Sequence, residues 1–331
     1  MPIFYRYKNE EKPTLSFSSF QISQPPELCK SENFMNNRLN QCNIIVPVDF
    51  SDYCRRAFPV AQEIARLFDG KISPFHAYDL YSDLDGFHYL NGEMSLHGEP
   101  LTIKKELKAA LTAFAGDSVD QAYLADCLVE EDNDAPDAIV KTSGQFDLVV
   151  MSSHGRKGFS RLLLGSVAEK VLRLTHRPVI IVEDEADLSP IRKILVTTDF
   201  SPSSYAALPY AQEVALAAGA EVHLFHSIAN EHLDAEQIEN IRSECLAKLH
   251  DAAERYMPAI GEQVNCFAVH GSDSAHHAIR EHLAKQHYDL LIMATVGKTG
   301  LSHLLGMGST TATLVRAVKT TIMAVKPDTQ A

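Results

Sequence analysis

Two aspartates and two glycine-rich stretches are the residues of this chain best placed to do chemistry. Asp49-Phe50-Ser51 follows the apolar run Ile44–Val48, and Asp199-Phe200-Ser201 follows Ile194–Thr198. Farther along, nine residues separate Gly155 from Gly165-Ser166, and ten separate Gly297 from Gly308-Ser309. A glycine-rich turn that runs into a helix offers bare backbone amides and the positive end of the helix dipole, which together suit phosphate. A lone Asp after a strand is often only a helix N-cap. Its pairing with a glycine-rich turn in both halves favours contact with a ligand. Arg156 and Lys157 sit inside the first turn, where phosphate contact is favoured over simple solubility.

Other motifs fail on spacing. Gly297-Lys298-Thr299 resembles the end of a P-loop, but that motif needs glycine five positions earlier, and the residue there is Ile292. His276, His277 and His282 share one predicted helix, and His88 and His97 share an acidic loop with Asp83, Asp85 and Glu93. None has metal-ligand spacing, so all read as solvated histidines and no metal site is predicted. There is no Gly-x-Ser-x-Gly elbow and no Cys–His pair in a hydrolase context. The chain does not read as an enzyme.

The elements that must position these residues occur twice. IIVPVDFSDYCRRAFPVAQEIA from Ile44 is echoed by ILVTTDFSPSSYAALPYAQEVA from Ile194, and DLVVMSSHGRKGFSRLLLGSVAEKVLR from Asp147 by DLLIMATVGKTGLSHLLGMGSTTATLVR from Asp289. A period of about 150 residues is too long for a solenoid and suits two duplicated domains. In the first half, strands are expected at 43–48, 71–77, 122–129, 148–151 and 178–182. A helix follows Ser51 and is kinked at Pro59; others span 102–114, 135–143 and 166–175. In the second half, strands are expected at 194–197, 221–226, 263–269, 290–293 and 321–325. Helices fall at 203–218 (kinked at Pro209), 235–257, 275–286 and 309–319. Apolar strands alternating with helices predict an α/β fold of two tandem, open, mostly parallel five-stranded sheets with helices on both faces. The expected domains are 42–183 and 191–327, joined by a linker at 184–190, with a short tail at 328–331. Residues 1–41 lack periodicity and read as a tail, either a disordered arm or upstream sequence ahead of a start at Met35. The apolar last strands, Pro178–Val182 and Thr321–Val325, are bare edges expected to pair with each other.

Composition removes whole classes of function. The 331 residues are 45% hydrophobic and 22% charged, ordinary for a globular protein. A formal charge of −13 argues against nucleic acid held through its phosphates. No apolar run is long enough for a membrane span. Six scattered cysteines without CxxC spacing read as free thiols in a reducing cytoplasm.

At these residues the sequence resembles the universal stress protein family in its tandem two-domain form. The carriers are Asp49, His76-Ala77, the flanking SHGRKG…RLLLGSVAE…RPV, and the Gly155–Gly165-Ser166 spacing of the family's Gly-x2-Gly-x9-Gly-Ser/Thr motif. The resemblance covers residues 42–327. It implies a Rossmann-like fold of the adenine nucleotide α-hydrolase type and a stress-response protein that binds ATP or a related adenine nucleotide. Asp49 would meet ribose or Mg2+. Gly155, Arg156 and Gly158 would border the triphosphate, with Gly165, Ser166 and Val167 donating to it. Pro47, Val48, Ala77 and Met151 would flank the base. Matching positions in the second half are Thr198, Asp199, Ser227, Met293, Gly297, Lys298, Gly308, Ser309 and Thr310. The family's opening glycine is replaced by Ser152 and by Ala294. The extra residue before Gly308 is expected to turn the first helical amides by about 100°, unless a glycine bulge absorbs it, leaving nucleotide binding in the second half open. A loop at 80–101 would act as a lid. By resemblance the halves would form an internal pseudo-dimer, with homodimerisation and an unidentified protein partner as further possibilities. A non-nucleotide scaffold that binds other small molecules, and a weak ATPase, are the alternative functions.

Overall fold

A computed structural model describes residues 38–79, 100–155, 164–183, 190–228, 234–271, 274–297 and 307–327. The first half runs β1 (Asn43–Pro47), α1 (Asp52–Arg55), α2 (Ala57–Phe68), β2 (Lys71–Tyr78), α3 (Pro100–Gly116), β3 (Leu128–Glu131), α4 (Ala135–Ser143), β4 (Leu148–Ser152), α5 (Ser166–Leu174) and β5 (Val179–Val182). The second runs β6 (Lys193–Thr197), α6 (Ala207–Ala218), β7 (Glu221–Ile228), α7 (Ala235–Tyr256), β8 (Asn265–His270), α8 (Ala275–Lys285), β9 (Leu290–Ala294), α9 (Ser309–Ala317) and β10 (Thr321–Val325). No described helix is long and apolar enough to cross a membrane.

Three local expectations change. The kinks at Pro59 and Pro209 are instead breaks: α1 ends at Arg55 and α2 starts afresh, while a 3-10 turn at Ser204–Ala206 precedes α6. Both prolines then fall in a first helical turn, where a missing N–H costs no helical bond. The third strand starts at Leu128, not 122, after a 3-10 turn at Gln121–Tyr123. Ala125 N–H donates to Ile72 O, so the alternate residue Pro74 also faces this flank and has no N–H to give. The assigned tail at 1–41 is too long. Leu39 is only 1% exposed, and the amides of Arg38 and Leu39 donate to Glu213 on α6, each at 3.0 Å.

The two expected sheets are one. Strand order is β3-β2-β1-β4-β5-β10-β9-β6-β7-β8, parallel within each half and, among the described strands, antiparallel only where β5 meets β10. Ile181 lies opposite Ile322, and Ile180 opposite Met323. Each bare edge therefore supplies the other's ladder partner. Successive strand residues point to opposite faces: Ile44 and Val46 join the core under α2, α3, α6 and α7, whereas Ile45 joins that under α4, α5, α8 and α9. Both layers run unbroken through the two halves. The repeated Asp147 and Asp289 are structural. Their carboxylates accept the amides of Asn43 (2.9 Å) and of Arg192 and Lys193 (2.8 and 2.9 Å), tying β4 to β1 and β9 to β6.

Candidate functional site

Strand order reverses between β1 and β4, and ligands of open α/β sheets lodge beyond the carboxyl ends of the strands at such a point. A cavity of about 700 Å³ opens there. Pro47, Val48, Asp49, Ala77, Met151, Ser152, Gly155, Gly165, Ser166 and Val167 all line it. Arg156, Gly158 and Lys298 lie outside the described residues, as do 80–99 of the expected lid and 184–189 of the linker.

The chain leaves β1 through a tight turn in which Phe50 takes φ 61°, a left-handed conformation costing a non-glycine residue about 1–2 kcal/mol. Asp49 closes the turn. Its Oδ1 accepts from the Ser51 amide at 3.0 Å and from Ser51 Oγ at 2.6 Å, while Ser51 Oγ caps α1 by accepting from Cys54 N–H. The other oxygen, Oδ2, lies against Gly155: a β-carbon there would sit 2.7 Å away. Gly155 is thus glycine because the Asp49 carboxylate occupies the space of a side chain. Beside it, burial and then the Asp49 charge push the Cys54 thiol up to about 12, so Cys54 is held as an unreactive thiol.

Gly165 is the N-cap of α5 and offers no side-chain acceptor. Its amide donates to Ser153 O at 2.8 Å, and a β-carbon would press on the same oxygen at 3.1 Å. Ser166 and Val167 follow on the cavity wall, where the first amides of a helix lack intrahelical acceptors. Asp49, Asp79 and Asp132 line the cavity, and no Lys or Arg does among the described residues. The starts of α4 (Ala135) and α5 (Ser166) both reach the cavity; the first is capped by the Asp134 carboxylate, whereas the second has no side-chain cap and leaves its positive dipole end open. Val48, Ala77, Ile139 and Met151 make an apolar wall. Ser152, in the family's glycine position, directs its hydroxyl to His154 O at 2.6 Å.

The second half repeats the turn. Phe200 has φ 63°, the Ser201 amide donates to Asp199 Oδ1 at 2.9 Å, and Asp199 Oδ2 closes on Gly297. Gly308 caps α9 with φ −70° and ψ 154°, against −60° and 142° for Gly165, and its amide donates to Thr295 O at 2.6 Å. The expected rotation of the helix start does not occur. Gly308 itself needs no positive φ, and 298–306 lie outside the described residues. Ser309 and Thr310 therefore stand in α9 as Ser166 and Val167 stand in α5. Local differences remain: Thr198 Oγ1 bonds Ser204 Oγ at 2.7 Å, Thr311 Oγ1 donates to Ala294 O at 3.2 Å beside Met293, and buried Ser227 Oγ has no partner among the described residues.

The family model described as Universal stress protein family matches residues 42–183 and again 190–326. The chain belongs to the universal stress protein family. It is 30% identical over 142 residues to universal stress protein MJ0531 of Methanocaldococcus jannaschii, covering 42% of this chain and 81% of the relative. It is 26% identical over 153 residues to MJ0577 of the same organism, covering 42% and 93%. A universal stress protein of Archaeoglobus fulgidus shares the fold over 88% of this chain and 98% of its own, at TM-score 0.57 and 20% identity. The protein PA1789 of Pseudomonas aeruginosa, described as functionally unknown, does so over 88% and 95%, at TM-score 0.58 and 15% identity.

Within this tandem universal stress protein, Phe75, Asp79, Asp132, Asn133 and Ile139 line the cavity without having been read from the sequence. They carry no motif. Their signal was positional, in the carboxyl half of β2, just beyond β2 and β3, and in the helix that follows. His282, read as solvated, is 8% exposed and bonds Tyr288 Oη at 2.8 Å.

Proposed function

We propose that the first half binds ATP or a related adenine nucleotide, and that this cytoplasmic stress-response protein acts as a nucleotide-responsive module for a protein partner. One observation carries the reading: the Asp49 carboxylate and the uncapped start of α5 meet across Gly155 in a cavity of about 700 Å³. That volume lies within the usual range for small-ligand pockets, about 300–1,000 Å³. The apolar wall suits adenine, the α5 amides suit phosphate, and Asp49 suits a ribose hydroxyl or Mg2+. A bound divalent cation would supply charge neutralisation between the carboxylates and the phosphates. Three carboxylates beside a triphosphate repel it, so Mg2+ should tighten ATP binding by about tenfold or more while leaving adenosine unaffected. Mass spectrometry of small molecules released from the purified protein, followed by ATP and adenosine titrations with and without Mg2+, tests this. Absence of nucleotide in the first and of saturable heat in the second would leave the reading without support.

A further inference from the structure

The same histidine clamp occurs in both halves. His76, 5% exposed on β2, sets its Nδ1 2.7 Å from Val48 O, and His226 on β7 sets its Nδ1 2.8 Å from Thr198 O. A carbonyl only accepts, so in each ring Nδ1 carries the proton. The amides of Val48 and Thr198 donate to Phe75 O (2.8 Å) and Phe225 O (3.0 Å), so both polar groups of the residue before the aspartate are held by the neighbouring strand. The same imidazoles touch the residue after the aspartate. His76 lies 4.7 Å from the left-handed Phe50 ring, and His226 4.1 Å from that of Phe200.

We propose that His76 is a positioning residue of the ligand site. Its Nδ1–H fixes the Val48–Asp49 peptide plane and its ring holds Phe50, so that the Asp49 carboxylate is aimed at Gly155; His226 does the same for Asp199. A turn with a left-handed phenylalanine persists only where its surroundings hold it, and here one side chain grips it before and after the carboxylate. The inference rests on the reading that Asp49 contacts the nucleotide.

Two readouts on the full chain separate the two ideas. The first is amide exchange at Ser51, which donates to Asp49 Oδ1. His76→Leu should speed Ser51 exchange by about tenfold or more and leave Ser201 unchanged, and His226→Leu should do the reverse. His76→Asn, which keeps a donor near the Nδ1 position, should restore most of the protection. The second is a double-mutant cycle on ATP affinity. His76→Leu and Asp49→Asn should each weaken binding about tenfold, and the double variant should be no weaker than the Asp49→Asn protein, because His76 acts through Asp49. Additive losses of about a hundredfold, or Ser51 exchange unchanged in the His76→Leu protein, would overturn the proposal. If Asp49→Asn leaves ATP binding intact, the nucleotide role of Asp49 fails, and Ser51 exchange alone decides whether His76 holds the turn. Should His76→Leu unfold the first half, His76→Gln displaces the donor while keeping a polar side chain, with the same outcomes expected.

Discussion

A β-carbon on Gly155 would lie 2.7 Å from Asp49 Oδ2, so Gly155→Ala must move the carboxylate or the turn. The expected result is ATP affinity reduced about tenfold or more with a melting temperature within a few degrees of wild type. Calorimetry and a thermal melt check both, and unchanged affinity would show that Asp49 can shift without cost. At this scale much of the site was legible, because Asp49, Gly155 and Gly165-Ser166 are types with few other uses at that spacing. Two things were not. Phenylalanine carries no signature of positive φ, so the left-handed turn at Phe50 was invisible. Counting from Gly297 to Gly308 also misjudged the aim of α9, which is set by the bond from Gly308 N–H to Thr295 O. The histidine clamp had a signal in the repeat: His76 and His226 stand at matching positions.

Among the elements, the amino-terminal end of β7, the residue pair before β9 and the last turn of α8 hold a polar chain away from the cleft. Glu221 accepts from His223 Nε2 at 2.6 Å, His223 Nδ1 meets Tyr288 Oη at 2.7 Å, and Tyr288 Oη meets His282 Nε2 at 2.8 Å. Because a carboxylate accepts, His223 carries its proton on Nε2 and accepts at Nδ1 from the Tyr288 hydroxyl, and His282 Nε2–H then donates to Tyr288 Oη. Burial, then the charges of His223, Lys193 and Lys285, push the His282 imidazole down to about 4, and burial lowers His223 as well. A depressed histidine disfavours the proton in the folded state, whereas the unfolded chain takes it up near pH 6.5. Stability is therefore full above about pH 6.5 and falls toward pH 4, by on the order of 3 kcal/mol from His282. Urea unfolding at pH 7 and pH 4.5 should show this loss in the wild type and less of it in His282→Gln, whose amide can still donate to Tyr288. An equal loss in both would place the acid sensitivity elsewhere. Helices and strands were mostly legible from periodicity. The breaks before Pro59 and Pro209 and the late start of β3 were not, since they depend on which backbone groups have a neighbouring strand to bond.

At the scale of the whole molecule, the antiparallel β5–β10 join turns two domains into one ten-stranded sheet, and side chains lock it. Arg316 on α9 pairs with Glu169 on α5 at 2.7 Å, and Lys326 donates to Arg173 O at 2.6 Å. The bare apolar edges made this pairing legible, while residues 38–41 were not, because a short turn has no period to read. Leu39 is buried and two amides bind Glu213 of the other half. A chain starting at residue 42 should therefore lose about 2–4 kcal/mol relative to one starting at Met35. Equal melting temperatures would show that this docking contributes nothing. Under the proposed function, the first-half cleft holds an adenine nucleotide on the start of α5. The most direct measurement is calorimetry of Mg-ATP on the full chain and on Gly165→Val, whose side chain would crowd Ser153 O and the first amides of α5, with a thermal melt confirming that the variant folds. Saturable binding to the wild-type first half that Gly165→Val removes is expected; no binding to the wild type, or binding untouched by that substitution, would rule out a nucleotide held on α5.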